Sequence, residues 1–172
     1  MIQRRSLRAA ALVGATLVGA SCGYTTSPAL LPSHLKTIAV PAFENGTAEP
    51  ALEREITDAV IARFVADNHL KVVDERSATA VLRGKVTLYR NAVFGFSTGR
   101  GAAQEYRVTV GTSVKLKDQV KNRELWSDNL VRTANYYVVD VPGQPARTEL
   151  DGRKEAVAKI ADEILSRTVQ GW

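Results

Sequence analysis

Residues 80–90, AVLRGKVTLYR, and 105–117, EYRVTVGTSVKLK, alternate apolar and polar side chains with a period of two. In the first, Leu82, Val86 and Leu88 interleave with Arg83, Lys85 and Thr87. In the second, Tyr106, Val108, Val110, Val114 and Leu116 interleave with Arg107, Thr109, Ser113, Lys115 and Lys117. Successive side chains of a strand point to opposite faces, so each stretch predicts a strand with one dry face and one wet face. The dry faces need a cover, and the rest of the chain must supply it on one side only.

Two segments have the period of such a cover. From Leu52 the residues Ile56, Val60 and Phe64 recur every four, with Pro50 at a plausible first helical position. Near the end, Thr148 and Asp151 predict a capping box opening a helix with Leu150, Val157, Ile160, Ala161 and Ile164 on one face. Residues 35–43, LKTIAVPAF, read as a first strand ended by Pro41, and 69–75 as a short one. Residues 124–139 read as a less regular strand with a bulge at Ser127–Asp128–Asn129. The expected fold class is α+β: a two-layer sandwich with two helices packed on one face of a mixed, mostly antiparallel sheet of about four strands.

Upstream, Arg4, Arg5 and Arg8 precede an apolar run from Ala9 to Ala20, and the chain's one cysteine, Cys22, follows. A positive start, a short apolar middle and small residues at its end are the layout of an export signal. The run is too short for a bilayer-spanning helix, which takes about 20 residues. Arg4-Arg5 hints at a twin-arginine signal, but the rest of that pattern is poor. Cutting after Ala20 would leave an unpaired thiol in an oxidising compartment, exposed to oxidation and cross-linking. Cutting before Cys22 allows its sulfur to be acylated. Ala20 and Ser21 suit that lipobox-like site, whereas Gly19 stands where a larger aliphatic residue is usual. The expected organisation is a lipoprotein signal peptide at 1–21, lipidated Cys22 and a tether over 22–34, and one α+β domain over 35–172.

Charge and motifs then exclude several functions. The chain has 23 Lys and Arg against 18 Asp and Glu; without Arg4, Arg5 and Arg8 the balance is 20 against 18. With no basic block left, nucleic acid is not an expected partner. His34 and His69, the two histidines, lack ligand spacing and read as solvated surface groups, so no metal is expected. The acids of EPALERE, residues 49–55, read as the wet side of a helix. No nucleophile motif occurs, and the glycines of 94–104, FGFSTGRGAAQ, lack a phosphate-loop ending, so neither enzyme activity nor a cofactor is expected. That segment reads as a hairpin tip whose Phe94 and Phe96 are candidate partner contacts.

Read in order, Cys22-Gly23-Tyr24, IAVPAFENGT (38–47), EPALERE (49–55), ATAVLRG (78–84), EYRVTV (105–110) and LW (125–126) resemble the LptE-type lipopolysaccharide-assembly lipoproteins. Thr79 departs from the acid expected in that family. The resemblance implies a non-enzymatic, acylated lipoprotein on the periplasmic face of the outer membrane, carrying palmitate-type chains. It also implies that the protein plugs a large β-barrel, LptD, and helps deliver lipopolysaccharide to the cell surface. A related alternative, periplasmic accessory lipoproteins of curli secretion or cell-wall-synthase activation, shares the first strand but fits the later segments less well. Arg83, Lys85, Arg107, Lys115 and Lys117 fall on the wet phase and are candidate contacts to lipopolysaccharide phosphates. The same residues also have a plain reading as cations that keep a sheet soluble.

The first testable outcome concerns the cysteine. Mass spectrometry of the mature N-terminus is expected to find acyl chains on Cys22, and an unmodified start at Ser21 would refute the assignment.

Overall fold

The alternating stretches form strands β4 (Ala80–Phe96) and β5 (Ala103–Asp118), and β6 (Arg123–Tyr137) follows. They are preceded by β1 (Thr37–Ala39), β2 (Glu44–Asn45), helix α1 (Leu52–Asp67) and β3 (Lys71–Val72), and followed by α2 (Glu149–Gln170). The computed structural model describes residues 31–96, 103–140 and 142–170. The expected signal, Cys22 and most of the tether therefore lie outside the described residues, as does the loop 97–102.

The sheet order is β3-β1-β4-β5-β6, with β2 also pairing with β4. The pairings of β1 with β3 and β4, and of β2 with β4, are parallel; β4–β5–β6 is antiparallel. The expected two-layer α+β class holds, but the sheet has six strands among the described residues instead of about four. β3 falls within the short strand expected over 69–75, whereas β2, two residues long, is too short to leave a periodic signal.

Both helices lie on one face. Leu52, Ile56, Val60 and Phe64 of α1 and Ala156, Val157, Ile160, Ala161 and Ile164 of α2 join Ile38, Leu82, Val86, Val108, Val110, Val114, Leu116 and Leu130 in one core. Burying a side chain of this size contributes about 1.5–3 kcal/mol relative to leaving it in water. The α2 capping box forms as expected: the Thr148 N–H donates to Asp151 Oδ2 at 2.8 Å and the Asp151 N–H to Thr148 Oγ1 at 3.3 Å. Leu150, expected on the buried face, is exposed; the buried stripe begins at Gly152, under the Tyr136 ring. Pro50 is not the first helical position either, because Ala51 caps α1 in the left-handed region at φ 61°.

Two bulges revise the strand phases. The register passes from Val86↔Thr112 to Leu88↔Gly111, so Thr87 is the extra residue and the phase of β4 reverses there. Leu88 consequently turns to the uncovered face, 40% exposed, and Tyr89 takes its place against the core. In β6 the shift lies at Leu125, between the Leu116↔Trp126 and Lys117↔Glu124 pairs, and not at Ser127–Asn129, which pair regularly.

Thr79 fastens β1 through its hydroxyl. Its Oγ1 accepts the N–H groups of Lys36 at 3.1 Å and Thr37 at 3.0 Å and donates to the Thr37 carbonyl at 2.8 Å, fastening β1 to the start of β4. A few residues on, the ring of Phe43 lies flat over Gly84. A Cβ at Gly84 would stand 2.1 Å from the ring, a contact no side chain tolerates. Gly84→Ala is expected to lower stability by about 1–3 kcal/mol through overpacking. A lower urea midpoint at unchanged slope would show it, whereas an unchanged midpoint would mean that Phe43 does not occupy that position.

Candidate functional site

The long strands give the molecule two poles. At one, the chain enters the domain: Leu35 is buried, its N–H donates to the Pro32 carbonyl at 2.8 Å, and Leu31 packs against the core. His34, expected to be a solvated histidine, instead meets Asp118 Oδ2 through Nε2 at 2.7 Å, next to the end of β5. Asp118 is fully buried. Burial opposes its charge, but the N–H groups of Lys121 and Val120 and the ring of His34 outweigh that and hold the carboxyl below its usual range. This contact spans 84 residues, which no local pattern could reveal. His69, in contrast, is on the surface as expected, beside Asp67 at 2.8 Å.

Near the same pole, on the face without helices, lies a cleft of about 590 Å³ whose walls include Arg83, Lys115, Lys117, Glu75 and Glu124. Arg83 and Lys115 are direct partners across the β4–β5 ladder, and Lys117 stands opposite Val81. Arg83 is ion-paired with Glu75, and Lys85 lies 3.7 Å from Glu44. Neither Lys115 nor Lys117 has an ion-pair partner among the described residues, so the two ammonium groups are the ones able to take an incoming anion. Ammonium groups of this kind attract phosphate by charge and directed hydrogen bonds. The cleft holds no nucleophile, and no three His, Cys, Asp or Glu side chains gather to hold a metal ion among the described residues.

The five candidate cations do not form one patch. Arg107 is eight residues along β5 from Lys115, about 26 Å at strand rise. Its guanidinium stacks on Phe94, 3.4 Å from the ring centroid, and Nε donates to Asn135 Oδ1 at 2.8 Å. It therefore belongs to the opposite pole, where Phe94 is 50% and Phe96 67% exposed. Exposed Val93, Val138 and Val139 enlarge the apolar surface there. Between the poles the uncovered face is not uniformly polar. Leu88 and Val131, 40% and 49% exposed, flank Gly111 across three strands. A Cβ at Gly111 would sit 3.0 Å from that of Leu88, so the row is tightly filled.

The acids of residues 49–55 are not merely a wet helix face. Glu49 and Glu55 both pair with Arg153 of α2, the latter at 2.8 Å, and Glu53 accepts from Asn45 at 2.7 Å. Beside them the Tyr89 hydroxyl donates to Glu149 at 2.5 Å. Burial first, and then that carboxylate, push its phenol above the usual range. Sequence reading missed the Arg153 pairs because Glu49 and Glu55 lie about a hundred residues from it. Among the described residues, no helix is long and apolar enough to cross a membrane.

Comparisons follow from this geometry. The solved structures similar to this chain include a PelC dodecamer from Paraburkholderia phytofirmans, at 18% identity and TM-score 0.53, covering 78% of this chain and 89% of that one. The hypothetical protein CT253 from Chlamydia trachomatis matches at 10% identity and TM-score 0.54, covering 77% and 95%. These likenesses establish the fold alone. Rare lipoprotein B from Shewanella oneidensis matches at 20% identity and TM-score 0.46, covering 74% and 91%, too distant in structure to carry an argument. No curated protein matches the sequence. The family model described as LptE, lipopolysaccharide-assembly, matches residues 35–168, from the buried Leu35 nearly to the end of α2. The chain belongs to the LptE lipopolysaccharide-assembly family.

Proposed function

We propose that this protein is an outer-membrane lipoprotein, anchored through Cys22 on the periplasmic face, that plugs an LptD-type β-barrel and assists delivery of lipopolysaccharide. It acts without catalysis. The observation that carries the reading is the family match over residues 35–168, which runs through the later segments that the curli-secretion and synthase-activator alternative fits less well.

The geometry supports it. The chain enters at the pole of His34 and Asp118, while the tip of Phe94 and Phe96 lies at the far end of a 17-residue strand. At strand rise this is about 50 Å, more than the hydrocarbon thickness of a bilayer, about 30 Å. A domain tethered at the first pole can thus carry the tip deep into a barrel standing in the same membrane. Lipidation contributes about 0.8 kcal/mol per buried CH₂, and two or more chains anchor stably. A barrel lumen is polar, and the helix-free face with Arg83, Lys85, Lys115 and Lys117 suits it. In this reading Lys115 and Lys117 contact lipopolysaccharide phosphates in the cleft, and Phe94, Phe96 and the stacked Arg107 contact the barrel.

Replacing both Lys115 and Lys117 by Glu is expected to weaken lipopolysaccharide binding about tenfold at moderate salt, with one-to-one co-purification of the barrel retained. Binding unchanged in the purified double variant would return the two lysines to a solubilising role. Failure of the wild-type protein to co-purify with any barrel would remove the plug reading itself.

A further inference from the structure

The long strand β6 is an edge of the sheet, with β5 as its one neighbour in the strand order. Such an edge offers a row of unpaired N–H and C=O groups to any extended chain that meets it. Here four of those groups are occupied. The Asn129 N–H donates to Asp128 Oδ1 at 2.7 Å. The Val131 carbonyl accepts from Arg132 Nη1 at 2.8 Å, and the Thr133 carbonyl from Lys159 Nζ of α2 at 3.0 Å. The Tyr137 carbonyl accepts the Arg147 N–H at 2.7 Å. All four groups sit at odd positions, the parity expected where alternate residues of an antiparallel strand point away from their neighbour.

The side chains that reach the first three of these groups are themselves fixed, as is that of Arg147, whose main-chain N–H reaches the fourth. Arg132 pairs with Glu163 at 2.7 Å, Glu163 with Arg167 at 2.8 Å, and Arg167 with Asp128. Lys159 and Arg147 share Glu155, at 2.8 and 2.7 Å. A ladder of charges therefore runs along the border of β6 and α2. Hydrogen bonds from Arg167 and Arg132 hold the Glu163 carboxyl below its usual range, and those from Lys159 and Arg147 do the same for Glu155. Individually exposed pairs of this kind add about 0–1 kcal/mol of stability, so stability alone is a poor account of so regular an arrangement.

We propose that this ladder is an edge guard, which occupies outward backbone groups at Asn129, Val131, Thr133 and Tyr137 and closes the strand to pairing with a strand of another chain, including a second copy. A partner does not then extend the sheet at β6. The inference does not depend on the barrel reading.

The test uses the mature full chain in detergent, with Arg132→Ala and Lys159→Ala combined. Glu163 keeps Arg167 and Glu155 keeps Arg147, so the rest of the ladder stays paired. Native mass spectrometry is expected to find single chains for the wild type and paired chains for the variant. Amide exchange over residues 127–135 should then be at least tenfold slower in the pairs. Single chains with unchanged or faster exchange would overturn the proposal. Pairing by a control carrying Lys71→Ala and Lys121→Ala, which removes the same charge elsewhere, would overturn it too. If the double variant does not fold, Lys159→Met alone is read by the same two criteria.

Discussion

Two helices can cover one face of this sheet and no more, and the rest of the structure is arranged around that limit. Every long strand must keep its apolar residues on the covered side, yet β4 has to run past the edge of the helical layer to reach the tip. The bulge at Thr87 is where the two demands meet. Before it, Leu82 and Val86 face α1 and α2; after it, Tyr89 faces inward and Leu88 outward. The extra residue also raises the local twist, as bulges do. The helix-free face that results is the surface left for function, and it carries both the lysine cleft and the apolar row at Gly111.

Charged groups divide into three kinds on this frame. Asp118 is fully buried and stays ionised because backbone N–H groups and His34 satisfy it. Removing such partners is costly, since an uncompensated charge is left in a dry site. Arg153 is similar, gripping Glu49 and Glu55 where α2 crosses the start of α1. The pairs along β6 are half exposed and individually weak. Their value lies in where their side chains end, on the main-chain groups of an open edge. Lys115 and Lys117 form a third situation, cations without an ion-pair partner among the described residues, and the proposed anionic ligand is placed at the cleft for that reason.

Much of this was legible in the sequence, for physical reasons that can be named. The period of two in β5 was correct at Tyr106, Val108, Val110, Val114 and Leu116 because β5 lies in the middle of the antiparallel set and carries no bulge of its own there. The period of four in α1 was correct because that helix packs along its whole length. Leu88 misled because one inserted residue inverts every side chain beyond it. Leu150 misled because the buried stripe of α2 starts at Gly152, under Tyr136, and leaves Leu150 on the outer side. The strand β2 is held by parallel pairing to β4, distant in sequence, and leaves no pattern of its own, whereas β3 lies within the stretch 69–75 that read as a strand. For the candidate site, residue types were legible but their grouping was not: Arg107 shares the wet phase with Lys115 and Lys117, and only strand length separates them into different poles.

The claim on which this account rests is that the two poles face different surroundings, the tip toward a barrel and the chain entry toward the membrane that holds the anchor. Photo-crosslinkers placed at Phe96 and at Lys121 in otherwise native protein test it directly in intact cells. The account predicts that the probe at residue 96 captures one β-barrel protein in high yield and that the probe at residue 121 captures it at least tenfold less. Equal capture from both positions, or capture of the barrel from residue 121 alone, would contradict it.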